Sequence, residues 1–272
     1  MFVQQAIAIL DSGVGGLTVA KEVMRQLPRE KIIYFGDTAR TPYGPRSSDE
    51  VRKFTEQIVD FLIQFSPKTI VIACNTATAA ALDYISGKVP IPVIGVIHPG
   101  ARAAISATKT GQVGVIGTVG TIRSGAYTTA LQQLSPYVKV VSQACPDLVP
   151  LVEQGLFRSE ETTAIVERSL AGIRQSDIDC LILGCTHYPF LKDTIQEVIG
   201  SSVKLISSAN ETAREISTIL YNQGQLASRE ESPVHQFFCS GDPEMFKRIA
   251  KLWLGEQIRR TPVVWQVSKF DE

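Results

Sequence analysis

The sequence predicts an α/β protein made of two similar parallel-sheet units. Three observations carry that expectation. Short apolar runs alternate with longer amphipathic stretches, a strand–turn–helix pattern near the start returns in mid-chain, and each copy has a strand ending at a cysteine. Runs that are apolar at every position suit strands covered on both faces, as in parallel sheets flanked by helices.

In chain order, residues 6–10, 31–35 and 69–73 read as the first three buried strands, and 113–116, 138–141 and 180–183 as three more. Within residues 51–65, Phe54, Ile58, Phe61, Leu62 and Phe65 fall at three- and four-residue steps, forming one apolar helical face. Segment 6–25, strand then glycine turn then helix, is answered by 113–134. The strand running into Ala73-Cys74-Asn75-Thr76 is answered by one running into Gly184-Cys185-Thr186-His187. Either the chain holds two units of like topology, or this is only the repetition that any α/β chain shows. On the first reading the Pro- and Gly-bearing segment 89–100 is the boundary, and the segment 206–210, which follows a short strand and precedes a helix, leads the chain back. That gives one α/β domain of 1–97 plus 208–272 carrying Cys74, and a second of 98–207 carrying Cys185.

The 272 residues are 44% hydrophobic and 20% charged, enough to bury a core. Lys plus Arg and Asp plus Glu both number 27, so no global field draws the chain to nucleic acid or to an anionic membrane. No apolar run approaches the roughly 18 residues of a spanning helix. The first residues lack a basic stretch and Asp11 interrupts the apolar run after them, so no signal peptide is expected. Five cysteines (74, 145, 180, 185 and 239) form no paired framework, which points to free thiols in a reducing cytoplasm. There is no CxxC, and His98, His187 and His235 are scattered, so no metal is expected.

Asp11-Ser12-Gly13-Val14-Gly15-Gly16 follows the first strand and opens a helix, the place where ligands bind in open α/β sheets. Glycines allow close backbone approach, and helix-start amides favour an anion such as a carboxylate. The spacing is not GxGxxG, and Asp11 would repel a phosphate but suits an ammonium; the simpler reading is that Asp11 and Ser12 cap the helix. Residues 36–44 after the second strand, dense in polar side chains, Pro and Gly, read as a shaped binding loop or an ordinary surface loop.

The two cysteine turns are the most informative. One thiol at a strand end is most often a small buried hydrophobe. Two in matching turns of matching units are harder to dismiss, and a helix N-terminus after each would favour its thiolate. If the units face each other, the sulfurs approach one ligand from opposite sides. Inverting a carbon stereocentre by deprotonation needs a base on one face and an acid on the other, and two cysteines can exchange those roles. No pyridoxal lysine is assignable, so catalysis would rest on positioning and electrostatic stabilisation. Cys145, Cys180 and Cys239 lack such a partner and read as core residues.

At these motifs the chain resembles the glutamate racemases of the aspartate/glutamate racemase superfamily. The resemblance runs from Asp11-Ser12-Gly13-Val14-Gly15-Gly16 through Gly36-Asp37-Thr38-Ala39-Arg40-Thr41-Pro42-Tyr43-Gly44 and Cys74-Asn75-Thr76. It continues through Gly117-Thr118-Val119-Gly120-Thr121, Ala144-Cys145-Pro146 with Glu153, Gly184-Cys185-Thr186-His187-Tyr188-Pro189 and Ser240-Gly241-Asp242-Pro243. It implies two facing α/β domains related by pseudo-twofold symmetry, with the active site in the cleft. Cys74 and Cys185 would then handle the α-proton on opposite faces, Asp11 assisting near Cys74, Glu153 and His187 near Cys185. Asp11, Ser12, Tyr43, Gly44, Asn75, Thr76, Thr186 and His187 would bind the substrate's ammonium and carboxylates, with Thr118 and Thr121 extending that set. The resemblance further implies conversion of L- to D-glutamate for peptidoglycan, in the cytoplasm, without pyridoxal phosphate, flavin or metal, and often as a homodimer.

Two other readings stay open at this point: the same mechanism on aspartate or another small amino acid, and a non-enzymatic module that closes on a small anionic ligand. The chain departs from the family's pattern at His98, where an acidic residue is expected, and at Ser207, in a segment where an Asp is expected. Both departures bear on contacts between domains or subunits rather than on the chemistry.

Overall fold

The computed structural model describes residues 4–228, 232–255, 258 and 263–268. The first part of the chain alternates strictly: β1 (Ile7–Asp11), α1 (Leu17–Gln26), β2 (Ile32–Gly36), α2 (Ser48–Ile63), β3 (Thr69–Ile72), α3 (Asn75–Ser86), β4 (Val93–Gly95) and α4 (Ile97–Ala107). The middle follows with β5 (Gln112–Gly117), α5 (Val119–Arg123), α6 (Ala126–Leu134), β6 (Lys139–Ala144), α7 (Leu148–Glu153), α8 (Glu160–Leu170), β7 (Cys180–Gly184), α9 (Lys192–Ile199) and β8 (Lys204–Ile206). The chain returns through α10 (Ser208–Asn222) to β9 (His235–Cys239), α11 (Pro243–Leu254) and β10 (Val263–Val267).

The strands form two sheets, parallel throughout, in the orders β10-β9-β2-β1-β3-β4 and β6-β5-β7-β8. The four strands β2-β1-β3-β4 of the larger sheet thus have the same order as the whole of the smaller one. In each copy the first strand is central, with the second on one side and the third on the other. Ile7 pairs with Ile32 and Thr69; Val113 pairs with Val140 and Cys180. The chain reverses its direction of travel across the sheet at β1 and at β5, and the crevice beyond such a point is where ligands bind. The repeated motifs of the sequence are therefore one topology used twice.

Burial explains the strand composition. Every residue of β1, β2, β3 and β7 is buried, as expected for strands with helices on both faces. Helix α1 sets Leu17, Val19, Ala20, Val23 and Met24 into the core on one face, and α10 covers the same core with Ala213, Ile216 and Leu220. Helix α4 instead packs Ile97, Ala101 and Ala104 with Val113, Val115 and Ile182 of the smaller sheet. Full burial of each Leu, Ile, Val or Met side chain among these is worth about 1.5–3 kcal/mol. Helix α2 starts with a reciprocal cap: Ser47 accepts the amide of Glu50, whose carboxylate accepts the amide of Ser47.

The six strands read from sequence are present with ends shifted by at most three residues, and so is the short strand expected before 206–210 (β8). Strands β4, β9 and β10 are additions. The three residues of β4 lie between prolines, yet Pro92 accepts the Ile70 amide at 3.0 Å and so continues the ladder. Strand β9 is a detached return that pairs with β2 on the far side from β1.

Candidate active site

The site grows from the C-terminal ends of β1, β3, β5 and β7. Asp11, the last residue of β1, is fully buried. Its Oδ2 accepts the Gly13 amide at 2.9 Å and its Oδ1 the Thr186 hydroxyl at 3.1 Å, from the turn after β7. Burial raises the Asp11 pKa, against the opposing pull of the His187 charge, the Gly16 and Gly13 amides and the Thr186 hydroxyl. The simple capping reading fails here, because α1 is preceded by Gly16 and has no side-chain cap. Asp11 is bent back over its own turn, and the Gly13 carbonyl accepts from Tyr34 Oη at 2.9 Å.

Cys74 is the cap of α3: its sulfur accepts the Ala77 amide at 3.5 Å and lies 3.6 Å from Ser12 Oγ. Burial, then the Asp11 carboxylate, push this thiol up to about 12, while the Ala77 amide and Ser12 hydroxyl pull it down and the Cys185 charge adds to the rise. The expected helix-start stabilisation of the thiolate exists, but desolvation beside a carboxylate outweighs it.

Cys185 differs. No α-helix starts at it; the chain runs into a short 3-10 turn, Tyr188–Leu191, with α9 beginning only at Lys192. Its partner is a side chain, with Sγ 3.7 Å from His187 Nδ1, while His187 Nε2 meets Glu153 Oε1 at 2.5 Å. Burial opposes charging of His187, yet its hydrogen bonds to Cys185 and Glu153 and their charges together raise its pKa well above the ordinary value. Tyr188 Oη donates to the Cys145 carbonyl at 2.8 Å and anchors the turn.

Thr76, Thr118 and Thr121 form a closed ring of hydroxyls, with Oγ1–Oγ1 separations of 2.9, 3.2 and 3.1 Å, which ties the start of α3 to the start of α5. Asn75 accepts from Tyr127 Oη at 2.7 Å, and its Nδ2, a buried donor, has no protein partner. That atom can serve a carboxylate oxygen. Tyr43 is expected among the ligand contacts; its hydroxyl donates to the Asp37 carboxylate, which leaves the backbone of its loop to face the site, where the Gly44 carbonyl accepts the Gly120 amide at 2.9 Å.

The structure therefore brings the whole expected set to the facing ends of the two sheets. The sequence reading did not single out Asp37, Ser240 and Tyr34. Buried Asp37 also takes Ser240 Oγ at 2.6 Å and Arg40 Nε at 2.7 Å, which moors loop 37–46 to the end of β9. Asp37 and Ser240 lay in two motifs already noted; only the unforeseen pairing of β2 with β9 makes them neighbours. His98 sits at the start of α4 on a surface cleft, away from these groups, and Ser207 caps α10. Cys180 and Cys239 are buried in strands; Cys145 is buried with its thiol 3.3 Å from the Ser169 carbonyl. Among the described residues no group of three or more His, Cys, Asp or Glu is placed to hold a metal ion, and no helix is long and apolar enough to cross a membrane.

Two like α/β halves meeting at polar strand ends define an enzyme of the isomerase class once the relatives are considered. A family model described as Asp/Glu/Hydantoin racemase matches residues 15–216. The chain belongs to that family and is an amino-acid racemase. It is 52% identical to a glutamate racemase of Bacillus cereus over 97% of this chain and 98% of that one, and 54% identical to one of Oceanobacillus iheyensis over 91% and 90%. The crystal structure of a Bacillus anthracis glutamate racemase isoform is 51% identical, with a TM-score of 0.92 over 99% of this chain and 98% of that one. A Francisella tularensis glutamate racemase in complex with D-glutamate, 33% identical, has a TM-score of 0.88 over 98% of each chain.

Proposed function

We propose that this racemase interconverts L- and D-glutamate without a cofactor, with Cys74 and Cys185 as the two acid/bases. The observation that carries the reading is the equivalence of the thiols: each follows the third strand of its copy of the fold, β3 or β7, and the Cys185 turn touches the end of β1, beside Cys74, through Thr186 and Asp11. One sulfur, as thiolate, takes the α-hydrogen as a proton; the other, as thiol, gives its proton to the opposite face of the carbanion. The roles exchange with the substrate's hand, and each turnover leaves the pair inverted until protons equilibrate.

The rest of the site serves that transfer. Asp11 binds the substrate ammonium, and its charge, once neutralised, no longer opposes a thiolate at Cys74. Ser12 and the Ala77 amide then stabilise that sulfur. On the other side the His187 imidazolium, backed by Glu153, stabilises a thiolate at Cys185. Asn75, Thr76, Thr118, Thr121, Thr186 and the backbone at Tyr43 and Gly44 bind the carboxylates. The groups act through desolvation and fixed dipoles, the means left to an enzyme acidifying a weakly acidic Cα–H unaided.

The domain division that goes with this reading is 1–97 plus 208–272 against 98–207, with substrate held between. The role is supply of D-glutamate for peptidoglycan in the cytoplasm, by a homodimer. Similarity to glutamate racemases along almost the whole chain supports the choice of substrate.

The test is circular dichroism on a panel of amino acids, with Cys74→Ser and Cys185→Ser alongside. Glutamate should be the substrate inverted, and each variant should lose nearly all turnover while keeping the wild-type fold. Robust turnover by both variants sinks the two-thiol mechanism, and preferential inversion of aspartate sinks the substrate assignment.

A further inference from the structure

Glycines in this chain do two different jobs. Gly111 and Gly125 have positive φ and nothing within 4 Å of where a Cβ would stand; they serve turns. Gly13, Gly15, Gly44 and Gly120 have no positive φ, so the backbone does not require glycine, yet each is crowded from the other half of the molecule. A Cβ on Gly13 would stand 3.1 Å from Glu153 Oε1, on Gly15 2.3 Å from Thr186 Oγ1 and 2.6 Å from His187 Nδ1, and on Gly44 2.7 Å from Thr118 Cβ. On Gly120 it would stand 2.9 Å from the Gly44 carbonyl oxygen and 3.1 Å from Thr76 Cγ2. At Gly15, Gly44 and Gly120 a side chain would force the halves to shift, whereas at Gly13 the Glu153 carboxylate would need to give by only a few tenths of an ångström.

Gly120 is the most telling. It is the second residue of α5, where alanine is the better helix former. Its amide donates to the Gly44 carbonyl at 2.9 Å, and a Cβ would press on that same oxygen. A backbone oxygen cannot swing aside as a side chain can. On either side of Gly120, Thr118 and Thr121 hold Thr76, so the whole start of α5 lies flat against the opposite half.

We propose that Gly120 is a positioning residue for the racemisation: its bare backbone sets how far the halves close, and thereby how well the site excludes water while one sulfur holds the abstracted proton. This rests on the two-thiol reading above. A proton on a thiol sealed from solvent is returned or replaced without exchange, whereas a wedged cleft lets it exchange before it goes back.

The experiment uses the full chain with Gly120→Ala, and Gly87→Ala as control. Gly87 has φ −77 and its nearest Cβ neighbours lie at 3.6 and 3.7 Å. Turnover, thermal midpoint and deuterium incorporation from deuterated water are measured, together with amide exchange of segments 42–46 and 118–124 in the free protein. Gly120→Ala is expected to lower the thermal midpoint slightly, because the added Cβ must displace the Gly44 carbonyl, and to lower kcat about ten- to a hundredfold, the scale of a small misplacement. Deuterium in the recovered starting enantiomer should rise relative to that in product, and both seam segments should exchange faster. Gly87→Ala should match the wild type throughout. If Gly120→Ala does not fold, Gly15→Ala crowds the same seam from the other side and must show the same signature. A folded variant with wild-type kcat overturns the proposal, and so does lost kcat with an unchanged deuterium ratio. A wild type that inverts no amino acid, beside a variant with faster seam exchange, sinks the function and leaves the closure role standing.

Discussion

His187 and Glu153 are joined at 2.5 Å, and the other nitrogen of the same imidazole faces the Cys185 sulfur at 3.7 Å. One ring thus links a carboxylate at the end of α7 to a thiol at the end of β7. Because these partners raise His187 well above its ordinary value of 6.5, the stability they contribute is fully present below that pH and is lost as pH rises through the raised folded value. Glu153→Gln removes one of the two raising partners. The variant's thermal midpoint should begin its alkaline decline at lower pH than the wild type's. Turnover should decline earlier too, most for the enantiomer whose inversion starts at Cys185. Midpoints and initial rates from pH 6 to 10, for both enantiomers, check this; superimposable profiles would show that Glu153 does not act through His187.

Asp11 has the same linkage sign as His187, but in its case the form that folding favours is the neutral one. Its folded pKa is raised by burial, so its ionisation above the unfolded value works against folding at neutral pH. Asp11→Asn removes that charge and can still accept from Gly13 or Thr186. The expected result is an unchanged or higher thermal midpoint with kcat/KM lowered about a hundredfold or more, the pattern of a site kept at the expense of stability. A destabilised variant of normal activity would assign Asp11 to the scaffold.

What the sequence disclosed and what it hid divide along one line. Periodicity and turn chemistry are local, so the strands at the ends of which Asp11, Cys74 and Cys185 stand could be read from the residues themselves. The matched turns went further, because Cys74 and Cys185 occupy equivalent strand ends. What escaped was pairing between distant segments. The bond from Ser240 to Asp37 depends on β9 lying beside β2, and no local pattern encodes that neighbour. The bond from the Tyr43 hydroxyl to Asp37 is likewise a property of the folded loop that no local pattern encodes. The behaviour of Cys74 depends on depth, since a cap position alone argued for a lower pKa and burial reversed it.

The hydroxyl ring makes a separable prediction. Thr76, Thr118 and Thr121 satisfy one another while buried, so Thr118→Val leaves two hydroxyls short of a partner and should cost about 1–3 kcal/mol. It also removes the cap of α5 at Thr121. Thr118→Ser keeps the hydroxyl and should recover most of the loss. If the ring also receives a carboxylate, valine should raise KM for glutamate more than it lowers kcat. Urea unfolding with steady-state kinetics on both variants checks the pair; equal stability of the valine and wild-type proteins would contradict the ring.

At the opposite end of the larger sheet, stability and chemistry can be tested apart. Lys68 Nζ lies 2.5 Å from Glu30 Oε2 with both side chains essentially sealed, and donates to the Gln225 carbonyl at 2.7 Å; Glu30 Oε1 accepts the Ala227 amide at 2.7 Å. The pair thus fastens the connection from α10 to β9 beneath the strands. Lys68→Met strands a buried carboxylate and should cost about 3–5 kcal/mol, whereas the double replacement Lys68→Met with Glu30→Gln should cost less, since no unpaired charge stays inside. Because the pair is remote from Cys74 and Cys185, kcat per folded molecule should be unchanged in both. Denaturant midpoints give the first comparison and active-site-titrated turnover the second. A single variant as stable as the wild type would mean that water reaches Glu30, and a changed kcat would mean that the α10–β9 connection transmits to the cleft.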